Sequence, residues 1–454
     1  MVFNSIVFLL KFLPIFLLIY YIAEQKYRNI VLFMGSLYFY AYGEPVYVLL
    51  LLASIAVNFE VGKRLDIKQK ATHTKKRLIF WTMAAVDVAV LAFFKWIPEI
   101  LPVDVKLGLP LGISFYTFRV ISYLTDVYRG DIRAEYSFVK LGTYISMFPQ
   151  LVAGPISNYD EVSRELKYRK CTLAQMDGGL KKFVWGLSMK VLLADRFAIL
   201  WHEIQTTGFV SISTPLAWLG AIGYSMQIYF DFYGYSLMAV GLGEMLGFAL
   251  PENFDLPYMS KSVREFYRRW HMTLGRWFRN YVYIPLGGSR KGIFRTVLNL
   301  LVVWVLTSFW HGSGPNFLIW GLSLWLLITL ERLLDKNNRI EKSRVLAHLY
   351  VLFVIPLTWM CFAITDVSEL QVYFGRMFGF TAGINVNAAD FVKAAGNYGV
   401  LFVVGILMCT PLSKKLFERY RDKLVGMLVL AVLFWWCVQR IMAEGNNPFM
   451  YLRF

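Results

Sequence analysis

The stretch 296-TVLNLLVVWVLTSFWHGSGPNFLIWGLSLWLLITL-330 runs for 35 residues without one Asp, Glu, Lys or Arg. An apolar run leads into His311, the segment 312–316 makes a turn, and a second apolar run leaves. At ~1.5 Å rise per residue the two passes share roughly 45–50 Å of helix, about 23 Å each. A hydrocarbon core is ~30 Å thick. The turn and its imidazole are therefore expected to lie recessed in the membrane, unless Arg295 and Glu331 snorkel to complete the passes. An ionisable residue at that depth is costly and marks a candidate for function. The plain alternative is a helix-end histidine bonded to a neighbouring carbonyl.

The remaining composition agrees with this reading. Of 454 residues 57% are hydrophobic and 17% aromatic, and many runs approach the ~18 apolar residues of a spanning helix. The fold class is an all-α polytopic membrane protein, a helical bundle in which short and broken spans predict re-entrant segments around a central funnel. A β-barrel would need ~10-residue alternating segments, and these are absent. The formal charge of +17 does not point to nucleic acid, because cytoplasmic loops collect Lys and Arg. The loop Lys63–Arg77, with seven basic residues and one acid, is such a loop. Cys171, Cys361, Cys409 and Cys437 show no CxxC spacing and suggest neither a disulfide framework nor a zinc site. No metal and no tightly bound cofactor is expected.

Taken in order, the first span is Ser5–Tyr21, whose flanking charges are the reverse of a secretory signal's; it is expected to remain as an uncleaved helix. Val31–Tyr42 and Val46–Val61 form a pair joined by Gly43-Glu-Pro45, and Leu78–Trp96 crosses outward. The further candidates are Gly112–Val127, Val139–Val152, Phe183–Leu200, Leu216–Phe230, Tyr235–Phe248, Leu346–Ile364, Val400–Met408 and Leu424–Val438. Ten to twelve crossings are expected, in a single domain over residues 1–454 with a short aromatic tail at 445–454. So few polar residues separate the spans that no large soluble domain fits between them.

Three polar stretches interrupt the apolar pattern. Asp231, in IYFDFYGYS, is the only charge between Glu203 and Glu244. The hydroxyls of Tyr229, Tyr233, Tyr235 and Ser236 could satisfy it, and a buried carboxylate that pins two helices competes with a catalytic role. Lys261–Arg290 sets Arg264, Arg268, Arg269, Arg276 and Arg279 among Phe266, Tyr267, Trp270, Trp277, Phe278 and Tyr281. This density fits a helix lying at the cytoplasmic interface. It serves either as a membrane anchor or as a rim for an anionic ligand, since guanidinium matches phosphate bidentately. His271 lies inside it, and the N–H groups of the closing turn Pro285-Leu-Gly-Gly-Ser289 could also meet an anion. Met147–Ile156 reads as a Pro/Gly-broken membrane segment.

These stretches, with others, stand in a recognisable order. Phe148-Pro-Gln-Leu-Val-Ala-Gly-Pro-Ile156, Asp231-Phe-Tyr-Gly-Tyr-Ser236, Pro251-Glu-Asn-Phe-Asp255, Arg269-Trp-His271, Tyr283-Ile-Pro-Leu-Gly-Gly288 and Trp310-His-Gly312 follow one another. Together they resemble the membrane-bound O-acyltransferase (MBOAT) family, in the bacterial branch typified by the alginate O-acetylation membrane protein. The resemblance covers nearly the whole chain. It implies acyl transfer from a cytoplasmic donor, acetyl-CoA, toward an extracytoplasmic acceptor, in a multi-pass protein of the plasma or inner membrane. It identifies His311 with the family's catalytic histidine and His271 with a second characteristic one. Arg268, Arg269 and Arg276 become candidates for donor binding, and Asp231 for polar support. The ending Phe449-x-Tyr451-x-x-Phe454 is similar to the branch's C-terminal motif, which implies Tyr451 as an acyl relay; an interfacial aromatic is the alternative.

The implied function is O-acetylation of a cell-surface or exported polysaccharide. An extracytoplasmic SGNH-type acetyltransferase is the expected partner, with membrane lipid as the surrounding medium. Two rivals remain at this point. One is D-alanyl transfer to teichoic acid within the same family. The other is a polysaccharide or lipid transporter whose histidines only gate a path, against which the lack of an internal repeat argues.

Overall fold

The computed structural model describes residues 1–66, 72–100, 108–334, 343–380, 386, 389–445, 447, 449 and 450. These residues form helices joined by turns, with no strand among them, so the protein is an all-α polytopic membrane protein. In chain order α1 is Leu13–Ile22, led by a π-helical turn Val7–Phe12, and α2 to α4 are Arg28–Gly43, Tyr47–Leu65 and His73–Ile100. Next come α5 Ile113–Arg129, α6 Phe138–Ser146, α7 Phe148–Leu151, α8 Tyr159–Lys167 and α9 Leu173–Ser188. A π-helical turn Met189–Ala194 precedes α10 Asp195–Thr207, and α11 spans Thr214–Met245. Two short helices follow, α12 Val263–Arg269 and α13 Met272–Phe278. The chain then forms α14 Gly292–His311, α15 Pro315–Leu334, α16 Arg344–Ala363, α17 Val367–Phe378, α18 Asp390–Met408, α19 Pro411–Tyr420 and α20 Leu424–Glu444.

Among the described residues six helices are long and apolar enough to cross a membrane: α4, α14, α15, α16, α18 and α20. Their outward faces carry Leu306, Phe309, Leu326, Leu330, Val400 and Val403, all exposed, as lipid contact allows. The residues group into two compact units. One holds Met1–Trp185, Tyr235–Glu252 and the segment from Ile441; the other holds Gly186–Gly234 and Asn253–Arg440.

In the first unit the Pro/Gly-broken stretch is a built polar corner. Its chain bends at Met147 between α6 and α7. The side chain of Gln150 donates to Pro155 O at 2.8 Å and to Ser157 Oγ at 2.8 Å. Arg119, 1% exposed, donates to Tyr144 O at 3.0 Å and Gln150 O at 3.3 Å, so the carbonyls freed by the bend are satisfied. The described part of the C-terminal tail is anchored here too, with Phe449 stacked on Tyr235 at 4.7 Å.

The second unit holds the α14–α15 hairpin. Each helix has 20 residues, about 30 Å, which is a full crossing. The length argument for a recessed turn therefore fails: helix continues past the charge-free run, through Arg295 and Glu331. Arg295 is exposed, whereas Glu331 is buried and does not snorkel. The turn needs glycine because a Cβ on Gly312 would lie 2.3 Å from the Phe317 ring. One helical face further, a Cβ on Gly321 would lie 1.9 Å from Ser308 Oγ and 3.0 Å from Trp304 O, so α14 and α15 touch almost backbone to backbone.

Two other expectations are corrected. Leu216–Phe230 and Tyr235–Phe248 are one helix, α11. Gly234 does not break it; a Cβ there would meet Gly186 O at 2.6 Å and Lys190 N at 3.0 Å, so this glycine admits a neighbouring turn. The interfacial arginine helix is in fact two, α12 and α13, broken at His271. Gly321→Ala is expected to destabilise the protein in detergent by roughly 1–3 kcal/mol, the usual cost of overpacking. Adding Ser308→Ala should restore part of the melting temperature. An unchanged melting temperature for Gly321→Ala would show that the two helices part freely.

Candidate active site

All the described candidate residues fall in the second unit, and its local chemistry explains why. α12 begins at Ser262, whose Oγ accepts the Glu265 N–H at 3.1 Å. Glu331 of α15 reaches the same helix start: one carboxylate oxygen accepts the Val263 N–H at 2.6 Å, the other the Arg264 N–H at 3.0 Å. An acidic group at a helix N-terminus answers both its orphan donors and its dipole. The carboxylate that follows His311 in sequence thus fixes the arginine-bearing helix.

α12 ends at Arg269, two residues before His271, which adopts the left-handed conformation at φ 43 and ψ 54. The segment Asn253–Asp255 lies against this break. The Met272 N–H donates to Asn253 O at 2.9 Å, and the Asp255 N–H donates to Arg269 O at 3.0 Å. The side chains add to it: Thr273 Oγ1 donates to Asn253 Oδ1 at 2.6 Å, and His271 Nδ1 lies 3.2 Å from the same oxygen. Two sequence motifs that are separate in the chain, around Asn253 and around His271, therefore form one knot.

His271 is 3% exposed, packed edge-on against Phe232 at 4.6 Å between ring centroids. Burial pushes its imidazolium down to about 3, so the ring is neutral at ordinary pH. His311, 4% exposed, closes α14 inside an aromatic enclosure. Trp310 lies 4.7 Å from it, Trp320 5.0 Å, Phe362 5.1 Å and Phe317 6.3 Å. The Trp310 ring also lies 6.2 Å from His271, so the two histidines share one indole wall. Asn316, fully buried, donates to Phe362 O at 3.2 Å and ties the start of α15 to the last turn of α16.

Asp231 has a partner that the local hydroxyls did not announce. Its partner is Lys190 of the π-helical turn, at 2.6 Å, both side chains being 2% exposed; Lys190 also meets Asp195 at 2.7 Å. Among the described residues the buried Tyr229 hydroxyl has no hydrogen-bond partner. The three arginines separate in character. Arg269 is engaged by Glu265 at 2.8 Å and by Asp255 O at 3.3 Å. Arg276 is half-buried on α13, and Arg268 is exposed. The Gly287 and Gly288 N–H groups are used within their own turn, donating to Ile284 O and Tyr283 O at 2.9 Å each, so they are not an anion cradle. Tyr451 lies outside the described residues. Lys190, Asn253, Glu331 and Asn316 were missed by sequence reasoning. A lone lysine in the apolar run around Met189 was the one readable sign, since it complements the lone Asp231.

Residues 129–368 match the MBOAT, membrane-bound O-acyltransferase, family, a span that includes both histidines. The chain is similar to "Probable alginate O-acetylase AlgI" of Pseudomonas putida, 35% identical over the full length of both proteins. It is 33% identical to the peptidoglycan O-acetyltransferase of Helicobacter pylori, over 83% of this chain and 80% of that protein. To the teichoic acid D-alanyltransferase of Bacillus subtilis it is 30% identical, over 50% of this chain and 60% of that protein.

A buried neutral histidine gives stability a defined pH dependence. His271 is held near 3 when folded, against ~6.5 for an exposed imidazole. As pH falls, the unfolded chain binds the proton first, so this contribution is kept above ~6.5 and lost progressively below it. The melting temperature in detergent is expected to fall between about pH 7 and about pH 5, and to fall less steeply in His271→Gln. Equal slopes in the two proteins would contradict a buried neutral His271.

Proposed function

Because this chain belongs to the membrane-bound O-acyltransferase family, we propose that it transfers acetyl groups from cytoplasmic acetyl-CoA across the plasma or inner membrane, for O-acetylation of a cell-surface or exported polysaccharide. The names of two relatives that cover most of the chain, an alginate O-acetylase and a peptidoglycan O-acetyltransferase, support both the acetyl group and a glycan acceptor. The observation that carries the reading is the pair of buried histidines, His271 and His311, against the single ring of Trp310. Two imidazoles in one water-poor enclosure suit an acyl transfer that must shield its thioester from hydrolysis.

In this reading His311 takes the proton from an attacking hydroxyl as its oxygen bonds to the thioester carbon. The carbon–sulfur bond then breaks, and the coenzyme A thiolate leaves and collects that proton. The oxyanion formed between these steps needs a donor. Trp320 is suited to it: it lies edge-on to His311 and its indole N–H is buried with no hydrogen-bond partner among the described residues. Arg268 and Arg276 are assigned to the phosphates of the donor, with Arg269 holding the rim together. The first acceptor is the phenol of Tyr451, which passes the acetyl group to an extracytoplasmic SGNH-type acetyltransferase that completes transfer to the glycan. The whole chain serves as one transferase domain.

Purified protein in detergent, given acetyl-CoA labelled in the acetyl group, should release coenzyme A and retain label on Tyr451. His311→Ala should lower the rate by about 10²–10⁴-fold. Tyr451→Phe should lose the retained label. Binding of acetyl-CoA without any cleavage in the wild type would overturn the donor assignment. A His311→Ala protein with wild-type rate would overturn the assignment of the base.

A further inference from the structure

We propose that Asn253 is a positioning residue which holds His271 in the Nδ1–H tautomer, so that Nε2 presents a lone pair to a substrate hydroxyl or amide N–H. The inference rests on the acyltransferase reading for its functional consequence, but its structural half stands on the hydrogen-bond geometry together with the burial of the ring. The Asn253 side chain, 1% exposed, faces a cluster of three groups. Its Oδ1 lies 2.6 Å from Thr273 Oγ1, 3.4 Å from the Thr273 backbone N and 3.2 Å from His271 Nδ1. A backbone N–H can only donate, so the amide must turn its oxygen, not its NH2, toward this cluster.

Once that oxygen is fixed as an acceptor, His271 Nδ1 must carry the proton. A neutral imidazole has one proton to give, and burial keeps this ring neutral. Nε2 is therefore an acceptor, and it is buried with no hydrogen-bond partner among the described residues. Native proteins seldom leave a buried acceptor unmet, which points to a donor that arrives with substrate. The backbone supports the same conclusion. His271 is one of two non-glycine residues at positive φ among the described residues, and the Met272 N–H bond to Asn253 O holds it there. One asparagine thus fixes both the strained backbone and the proton position of the ring, and strain of this kind persists where the surrounding structure determines it fully.

The test needs no substrate at first. The chain has five histidines. The ¹⁵N-histidine spectrum of the full protein in bilayers, with the His271→Gln spectrum subtracted, reports which nitrogen carries the proton. A proton on Nδ1 in the wild type and in Asn253→Asp, but not in Asn253→Leu, is the expected result; a proton on Nε2 in the wild type overturns the proposal. Acetyl-CoA cleavage is then measured on the same proteins. Asn253→Ala should lower kcat about 10–100-fold, as loss of an orienting partner does elsewhere. Asn253→Asp, which keeps an acceptor oxygen, should recover most of that loss, and Asn253→Ala should add little in a His271→Ala background. Full activity of Asn253→Ala overturns the positioning role. The expected tautomer in a wild-type protein that cleaves no acetyl-CoA would instead defeat the functional reading while leaving the tautomer assignment in place.

Discussion

The ion pair of Lys190 with Asp231 is the constraint around which the second unit is arranged. Both side chains are almost wholly buried, at 2.6 Å from each other. An unpaired ion at such a site costs on the order of several kcal/mol even after relaxation, so each charge obliges the other to be present. The contact demands that the turn Met189–Ala194 come up against α11, and the widened π-helical form of that turn and the bare Cα of Gly234 make the approach possible. Asp195 then takes a further hydrogen-bond position on the ammonium. α11 is held in this way at the level of Asp231, and the residue beside it, Phe232, forms the wall on which His271 rests.

The same rule, that buried polarity must be answered, organises the rest of the site. Glu331 answers the start of α12, Asn316 answers the end of α16, and Asn253 answers the break at His271. These are side-chain solutions to backbone problems that short helices create. Between them lies a packed set of indole and phenyl rings, in which both imidazoles are buried. Trp310 is the shared element, since it touches both. A site whose groups are held by packing and by second-layer hydrogen bonds is what acyl transfer asks of a protein.

Much of this was legible in the sequence, and the reasons differ by residue. The α14–α15 hairpin was readable because a charge-free apolar run split by Gly-Ser-Gly-Pro has few other solutions. His311 and His271 were readable as polar residues in apolar or cationic surroundings. The ion pair of Asp231 was not, because local sequence offered four hydroxyls while Lys190 comes from a distant turn. The break at His271 was hidden for another reason: no helical period announces a non-glycine residue in the left-handed region, and the Asn253 contact that sustains it is long-range. The role of Glu331 was not legible, because the helix start that it caps is far from it in the sequence. The continuity of α11 was missed since Gly234 has the signature of a breaker and the function of a close contact.

The most direct test is an electron cryomicroscopy map of the protein with a non-hydrolysable thioether analogue of acetyl-CoA. The account predicts the acyl carbon and sulfur within hydrogen-bond reach of His311 and His271, beside Trp310, with the phosphates near Arg268 and Arg276. An analogue bound elsewhere, with neither histidine in contact with its acyl end, would contradict it.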